Sequence, residues 1–104
     1  MNSTLKITTE DTNDTAVISL HGDLTLASTV RFRLELLKHA AKKNVILNLE
    51  KLEYTDSSGL AALIEGHQEA KRNEYSVVLK NVQPRILEIL KMAQLHTILN
   101  IIPE

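Results

Sequence analysis

Hydrophobic and polar positions alternate at the start of the chain. Leu5 and Ile7 stand between polar residues, the period-two pattern of a first strand. Asp11, Asn13 and Asp14 read as a turn, and Ala16, Ile18 and Leu20 alternate with Val17 and Ser19 as a second strand. A turn this short predicts antiparallel pairing of the two. His21-Gly22-Asp23 is expected to break the second strand. The period then changes. Leu26, Val30, Leu34, Leu37 and Ala41 recur at steps of three and four, which predicts a helix with these residues on its core face, widened by Phe32, Leu36 and Ala40. Thr25 or Ser28 is the candidate N-cap, and Lys42 and Lys43 suit the negative end of the helix dipole.

Val45-Ile46-Leu47-Asn48-Leu49 is short and nearly all apolar, as expected of a central strand covered on both faces. Tyr54-Thr55-Asp56-Ser57-Ser58-Gly59 leads into a second helix, with Leu60, Leu63, Ile64 and His67 inward and Glu65, Gln68, Glu69 and Arg72 outward. Tyr75, Val77 and Leu79 alternate as a fourth strand. Pro84 fits the first turn of a third helix whose inner face carries Ile86, Ile89, Leu90 and Ala93. Ile98 to Ile102 reads as a last strand stopped by Pro103. The order is ββαβαβαβ. It predicts a single α/β domain over 1–104, with a mixed, mostly parallel sheet packed against helices and the first strand as an antiparallel edge. The expected core includes Ile18, Leu20, Leu34, Leu37, Ile46, Leu47, Leu49, Leu63 and Ile89.

Composition narrows the function. The 12 Lys and Arg nearly cancel the 13 Asp and Glu, and only Phe32, Tyr54 and Tyr75 are aromatic. Both facts argue against a nucleic-acid partner, which would call for a basic footprint or a stacking platform. Without cysteine there is no disulfide, thiol catalyst or thiolate metal site. The longest apolar runs, such as Leu60 to Ile64, are too short for membrane insertion, and Met1 to Glu10 lacks an apolar signal region. A cytoplasmic domain is expected.

Candidate chemistry is sparse. His21, His39, His67 and His96 are widely spaced and form no metal-binding pattern, so neither metal nor cofactor is expected. His67 reads as a core-edge residue, and Gly66 as a point of close helix–sheet packing. Arg31, Arg33, Lys38, Lys42 and Lys43 outweigh Glu35; they form either a solvated helix face or a docking patch for an acidic partner. The informative element is Asp56-Ser57-Ser58-Gly59, where an apolar strand hands over to a helix. Asp or Ser there ordinarily caps the helix. A catalytic serine is disfavoured, since no Gly-x-Ser-x-Gly elbow is present. A third role is a phosphate acceptor, because a helix N-terminus tolerates the added negative charge.

The chain resembles the STAS family, and within it the bacterial anti-sigma factor antagonists. The residues that carry the likeness are Leu20-His21-Gly22-Asp23-Leu24, the strand Val45 to Leu49, the loop Tyr54 to Leu60, and Val77 to Pro84. The resemblance implies partner switching. An unphosphorylated antagonist binds a serine kinase that doubles as an anti-sigma factor; phosphorylation of the first serine after the aspartate blocks binding, and a cognate phosphatase resets it. That serine is Ser57. The implied partner-binding residues are Asp23, Leu24, Thr25, Asp56, Ser57, Ser58 and Gly59. The chain departs from the family pattern at Thr25, where an acidic residue is usual, and at Ala61, where glycine is common. It also ends at Glu104, where a fourth helix would follow. Short STAS chains serve alternatively as accessory subunits that bind the ATPase of a bacterial phospholipid-transport ABC complex.

Overall fold

A computed structural model describes residues 4–102. The chain forms β1 (Leu5–Asp11), β2 (Thr15–Leu24), α1 (Leu26–Ala40), β3 (Asn44–Thr55), α2 (Ser57–Arg72), β4 (Val77–Lys80), α3 (Pro84–Met92), a short 3-10 turn (Leu95–Thr97) and β5 (Asn100–Ile101). The five strands lie side by side in chain order. β1 pairs antiparallel with β2, and every later pair is parallel. Each parallel connection runs through a helix, as right-handed crossovers require.

Crossovers that advance in one direction place their helices on one side of the sheet. The core follows from that. Ala16, Val45 and Val77 form one register row, and Ile18, Leu47 and Leu79 the next; all six are buried in a single cluster with Phe32, Leu36, Leu63, Ile86 and Leu90 of the helices. The opposite face, with Val17, Ser19, Ile46, Asn48 and Val78, is only half-buried. The central strand is therefore covered on one face, not both. Asn48 is tolerated on the open face because its carbonyl oxygen accepts from the Asn81 amide at 3.1 Å.

Two elements outrun their expected ends. His21-Gly22-Asp23 does not break β2: the strand continues to Leu24 through register shifts at Ser19/His21 and Gly22/Asp23. Gly22 makes this possible with φ +122°, and a Cβ there would overlap the Thr4 carbonyl. β3 extends from Leu49 to Thr55, so β2 and β3 end together, with Leu24 beside Thr55. The last strand shrinks to Asn100–Ile101 behind the 3-10 turn, with Ile98 and Ile102 largely exposed; Pro103 lies outside the described residues. Tyr75 falls before β4, not within it.

The first helix reverses its expected orientation. Phe32, Leu36 and Ala40 are fully buried, whereas Leu26, Val30 and Leu34 are 77%, 61% and 60% exposed. Leu37 is half-buried and Ala41 exposed. Both stripes satisfy the same three-and-four spacing, so periodicity alone could not choose between them. Side-chain volume and anchoring decide: Phe32 fills the core, and the hydroxyls of Ser28 and Thr29 tie the buried side to neighbouring elements. Gly66 also differs from expectation. A Cβ there would overlap Leu36 of α1, so the close approach is helix to helix, not helix to sheet. In α2, Ala62, Leu63 and Ala70 are buried, while Leu60, Ile64 and His67 are half-buried. In α3, Ile86 and Leu90 are buried, Ile89 half-buried and Ala93 exposed.

The basic residues of α1 and of the turn after it are mostly tied down. Arg33 pairs with Glu65 at 2.6 Å, Lys38 with Glu35 at 3.4 Å, and Lys43 with Asp11 at 2.5 Å, while Arg31 donates to the Leu5 carbonyl at 2.8 Å. Such surface pairs are worth about 0.2–1 kcal/mol each; Lys38–Glu35 lies within α1, and the others orient α1 and the turn after it against α2 and β1 more than they stabilise them. Glu35 also accepts from Thr9 at 2.7 Å, the main reason its carboxyl titrates below the usual range. Buried His39 lies 3.1 Å from the same carboxylate. These contacts close the edge strand over the C-terminal half of α1.

Candidate functional site

Because β2 and β3 are parallel and end in register, the helices that follow them start side by side. Thr25 is the N-cap of α1 and Asp56 the N-cap of α2, both extended. The Ser28 hydroxyl, the alternative cap, accepts the Thr25 N–H at 3.0 Å and donates to the Asp23 carbonyl at 2.8 Å. The Asp56 N–H donates to the Leu24 carbonyl at 3.0 Å, joining the two strand ends.

Asp56 serves both helices. Its Oδ1 accepts from the backbone N–H of Ser58 at 2.8 Å and of Gly59 at 3.2 Å, and from the Ser58 hydroxyl at 2.5 Å. Its Oδ2 accepts from the N–H of Leu26, the first residue of α1, at 3.1 Å. One carboxylate thus satisfies two free N–H groups of α2 and one of α1, where both dipoles favour negative charge. The Ser58 hydroxyl bond is the main reason the Asp56 carboxyl titrates below its ordinary 3.8; burial opposes it, and the N–H groups of Gly59, Ser58 and Leu26 each lower it further. Asp56 is therefore an anion at neutral pH.

The two serines are not equivalent. Ser58 is half-buried, and its single hydroxyl proton is given to Asp56. With that proton committed, the 3.2 Å contact with Thr29 has Ser58 as acceptor. Ser57, the first residue of α2, is exposed, and its hydroxyl makes no hydrogen bond to any described residue. A group-transfer enzyme would meet Ser57 unencumbered and would have to break the bond of the Ser58 hydroxyl to Asp56 to reach Ser58.

The remaining expected residues divide by depth. Asp23 and Thr25 are half-buried beside Asp56. Leu24 and Gly59, expected at the binding surface, are buried. They support the site from beneath: a Cβ on Gly59 would overlap Thr55 Oγ1 and press on Leu24. Leu24 is thus a packing residue, since its side chain points into the core that carries the loop. Leu26 and Thr29 were not foreseen in the site. Thr29 carries no sequence signal for it, and the spacing of Leu26 predicts a core position that its 77% exposure contradicts. Among the described residues no group of three or more His, Asp or Glu side chains has metal-binding geometry, and no helix is long and apolar enough to cross a membrane.

A parallel sheet in chain order, an antiparallel edge hairpin, helices on one face and a capped Asp-Ser-Ser-Gly turn between the third strand and second helix together define a STAS-type domain. Residues 6–104 match the family model of the STAS domain, and the chain belongs to that family. Solved structures with the same fold include the phosphorylated form of the Bacillus cell fate determinant SpoIIAA, with 23% identity, a TM-score of 0.72, and 95% of this chain and 93% of that one covered. RsbS of Moorella thermoacetica is 21% identical, with a TM-score of 0.76 and coverages of 95% and 87%. An anti-sigma factor antagonist from Mycobacterium paratuberculosis is 17% identical, with a TM-score of 0.80 and coverages of 97% and 87%.

Proposed function

We propose that this chain is a phosphorylatable anti-sigma factor antagonist, a regulatory binding protein without chemistry of its own. Unphosphorylated, it binds a serine kinase that also acts as an anti-sigma factor; phosphate on Ser57 breaks that complex, and a cognate phosphatase restores it. The observation that carries this reading is the contrast at the loop: the Ser57 hydroxyl is exposed and has no partner among the described residues, while the half-buried Ser58 hydroxyl is engaged by Asp56 and Thr29.

The geometry also supports a sharp switch. The Asp56 carboxylate already neutralises the ends of both helices. A phosphate on Ser57 would add about −1.5 to −2 charges beside that anion. The cap itself is left intact, because Ser57 takes no part in it. The consequence falls on the docking partner, for which a polar surface becomes a concentrated negative one. Asp23, Thr25, Asp56, Ser57 and Ser58 form the contact surface; Leu24 and Gly59 hold it in place.

The test is to incubate the protein with its kinase and ATP and to map the phosphate by mass spectrometry. Phosphate is expected on Ser57 in the wild type and in Ser58→Ala, and absent in Ser57→Ala, with all three folded. Phosphate on Ser58 alone would remove the proposed switch and favour an accessory role in a transporter complex.

A further inference from the structure

The outer side of α1 carries a ridge that the fold does not use. Leu26, Val30 and Leu34 are 77%, 61% and 60% exposed. At 3.6 residues per turn they lie within about 80° of one another, opposite Phe32, and span about 12 Å. A helix on a domain surface normally presents one apolar face; α1 presents two. The outward positions of α2 carry Gln68, Lys71 and Arg72, and α3 exposes Arg85, Glu88 and Lys91, with Met92 in its last turn as a single exposed large apolar residue and no ridge. The doubled apolar pattern is specific to α1, and helix propensity does not demand it, because polar helix formers would serve equally on that face.

Two observations indicate what covers the ridge. It begins at Leu26, whose N–H is held by the Asp56 carboxylate beside Ser57, so ridge and loop share one surface. It is also flanked by positive charge. Arg33 and Lys38 have carboxylate partners in Glu65 and Glu35, but Arg31 meets the Leu5 carbonyl and no carboxylate among the described residues. A two-fold pairing of ridges from two copies would bring like-charged flanks together.

We infer that the α1 ridge of Leu26, Val30 and Leu34 is the apolar half of the docking surface whose polar half is the Ser57 loop. Its occupant is the kinase of the proposed switch, presenting an apolar groove with an acidic margin toward Arg31. This inference rests on the proposed function and assigns that function its main contact area. The division of labour is physical: desolvation of the ridge supplies affinity, and the charge state of Ser57 gates it.

The experiment titrates the kinase that phosphorylates Ser57, without ATP, against wild type, the double variant Val30→Gln/Leu34→Gln, Arg31→Glu, and the α2 control Gln68→Ala. Circular dichroism and urea midpoints confirm that each is folded. The double variant is expected to bind at least tenfold more weakly and Gln68→Ala equally well. Arg31→Glu is expected to associate more slowly, with a weaker dependence on salt. Equal binding by the double variant, to a kinase that still discriminates against phosphorylated Ser57, overturns the ridge and leaves the switch standing. A kinase whose affinity for wild type is the same before and after phosphorylation of Ser57 overturns the switch, and the ridge assignment with it. Self-association by sedimentation, or flotation with phosphatidylglycerol vesicles, that Val30→Gln/Leu34→Gln abolishes would replace the kinase as occupant and likewise overturn the inference.

Discussion

Replacing Asp56 by alanine should destabilise the protein more than loss of the α2 cap alone, because the carboxylate accepts from the start of both helices. Loss of the α2 cap, with the Ser58 and Gly59 N–H groups released, costs about 0.5–2 kcal/mol. Loss of the bond from Leu26 leaves the start of α1 to solvent and adds about 0.5–1 kcal/mol. The Ser58 hydroxyl keeps Thr29 as a partner, so its contribution is small. Asp56 is only half-buried, so each figure sits toward the lower part of its range. The sum is about 1–2 kcal/mol, or roughly 4–16 °C in Tm for a domain of this size. Asp56→Asn separates the two roles. Its amide oxygen can still cap α2, but its NH2 group would face the Leu26 N–H donor to donor, so it should lose chiefly the α1 part. The assay is urea denaturation followed at 222 nm, with equal m-values required before stabilities are compared. The pH dependence carries a definite sign. The folded carboxyl titrates below 3.8, so its contribution is full above that value and is lost as pH falls through the folded pKa. The gap between wild type and Asp56→Ala should therefore close on acidification. A loss under about 0.5 kcal/mol at pH 7, the range of neutral surface changes, would refute the shared cap.

Other outcomes test the packing beneath the site. Leu47→Ala should cost about 2–5 kcal/mol because Leu47 is fully buried in the central strand, whereas Leu34→Ala should cost less than about 0.5 kcal/mol; the same denaturation series checks both. Gly59→Ala should cost about 1–3 kcal/mol by pushing α2 away from Thr55 and Leu24, and kinase titration should show weakened binding through a displaced loop. Gly22→Ala should likewise lower the denaturation midpoint, since its positive φ and the Thr4 carbonyl exclude a side chain.

Element order and strand pairing were legible in the sequence because they rest on changes of period and on turn residues, both of which are local signals. The alternation around Ile18 and the apolar run around Leu47 identify strands without reference to anything distant. The placement of Asp56 as a cap was equally local. What local pattern cannot supply is the choice between two apolar faces of one helix. Leu26, Val30 and Leu34 compete with Phe32, Leu36 and Ala40 at identical spacing, and only docking on the sheet decides. The one-sided covering of β3 was also hidden, because an apolar strand reads alike whether one face or both are packed. The bond from Leu26 to Asp56 joins residues thirty positions apart, and no short motif encodes it. The face of α1 that the core leaves unused is the one assigned above to the partner kinase.

The central claim is that phosphate on Ser57 acts on binding and not on folding. The most direct measurement is paired titration of the kinase with unphosphorylated protein and with protein phosphorylated stoichiometrically on Ser57, alongside the denaturation midpoint of each. The account predicts midpoints that nearly coincide and an affinity at least tenfold weaker for the phosphorylated form, a difference of about 1.4 kcal/mol or more. Equal affinities, or a weakened complex explained by an unfolded phosphorylated protein, would contradict it.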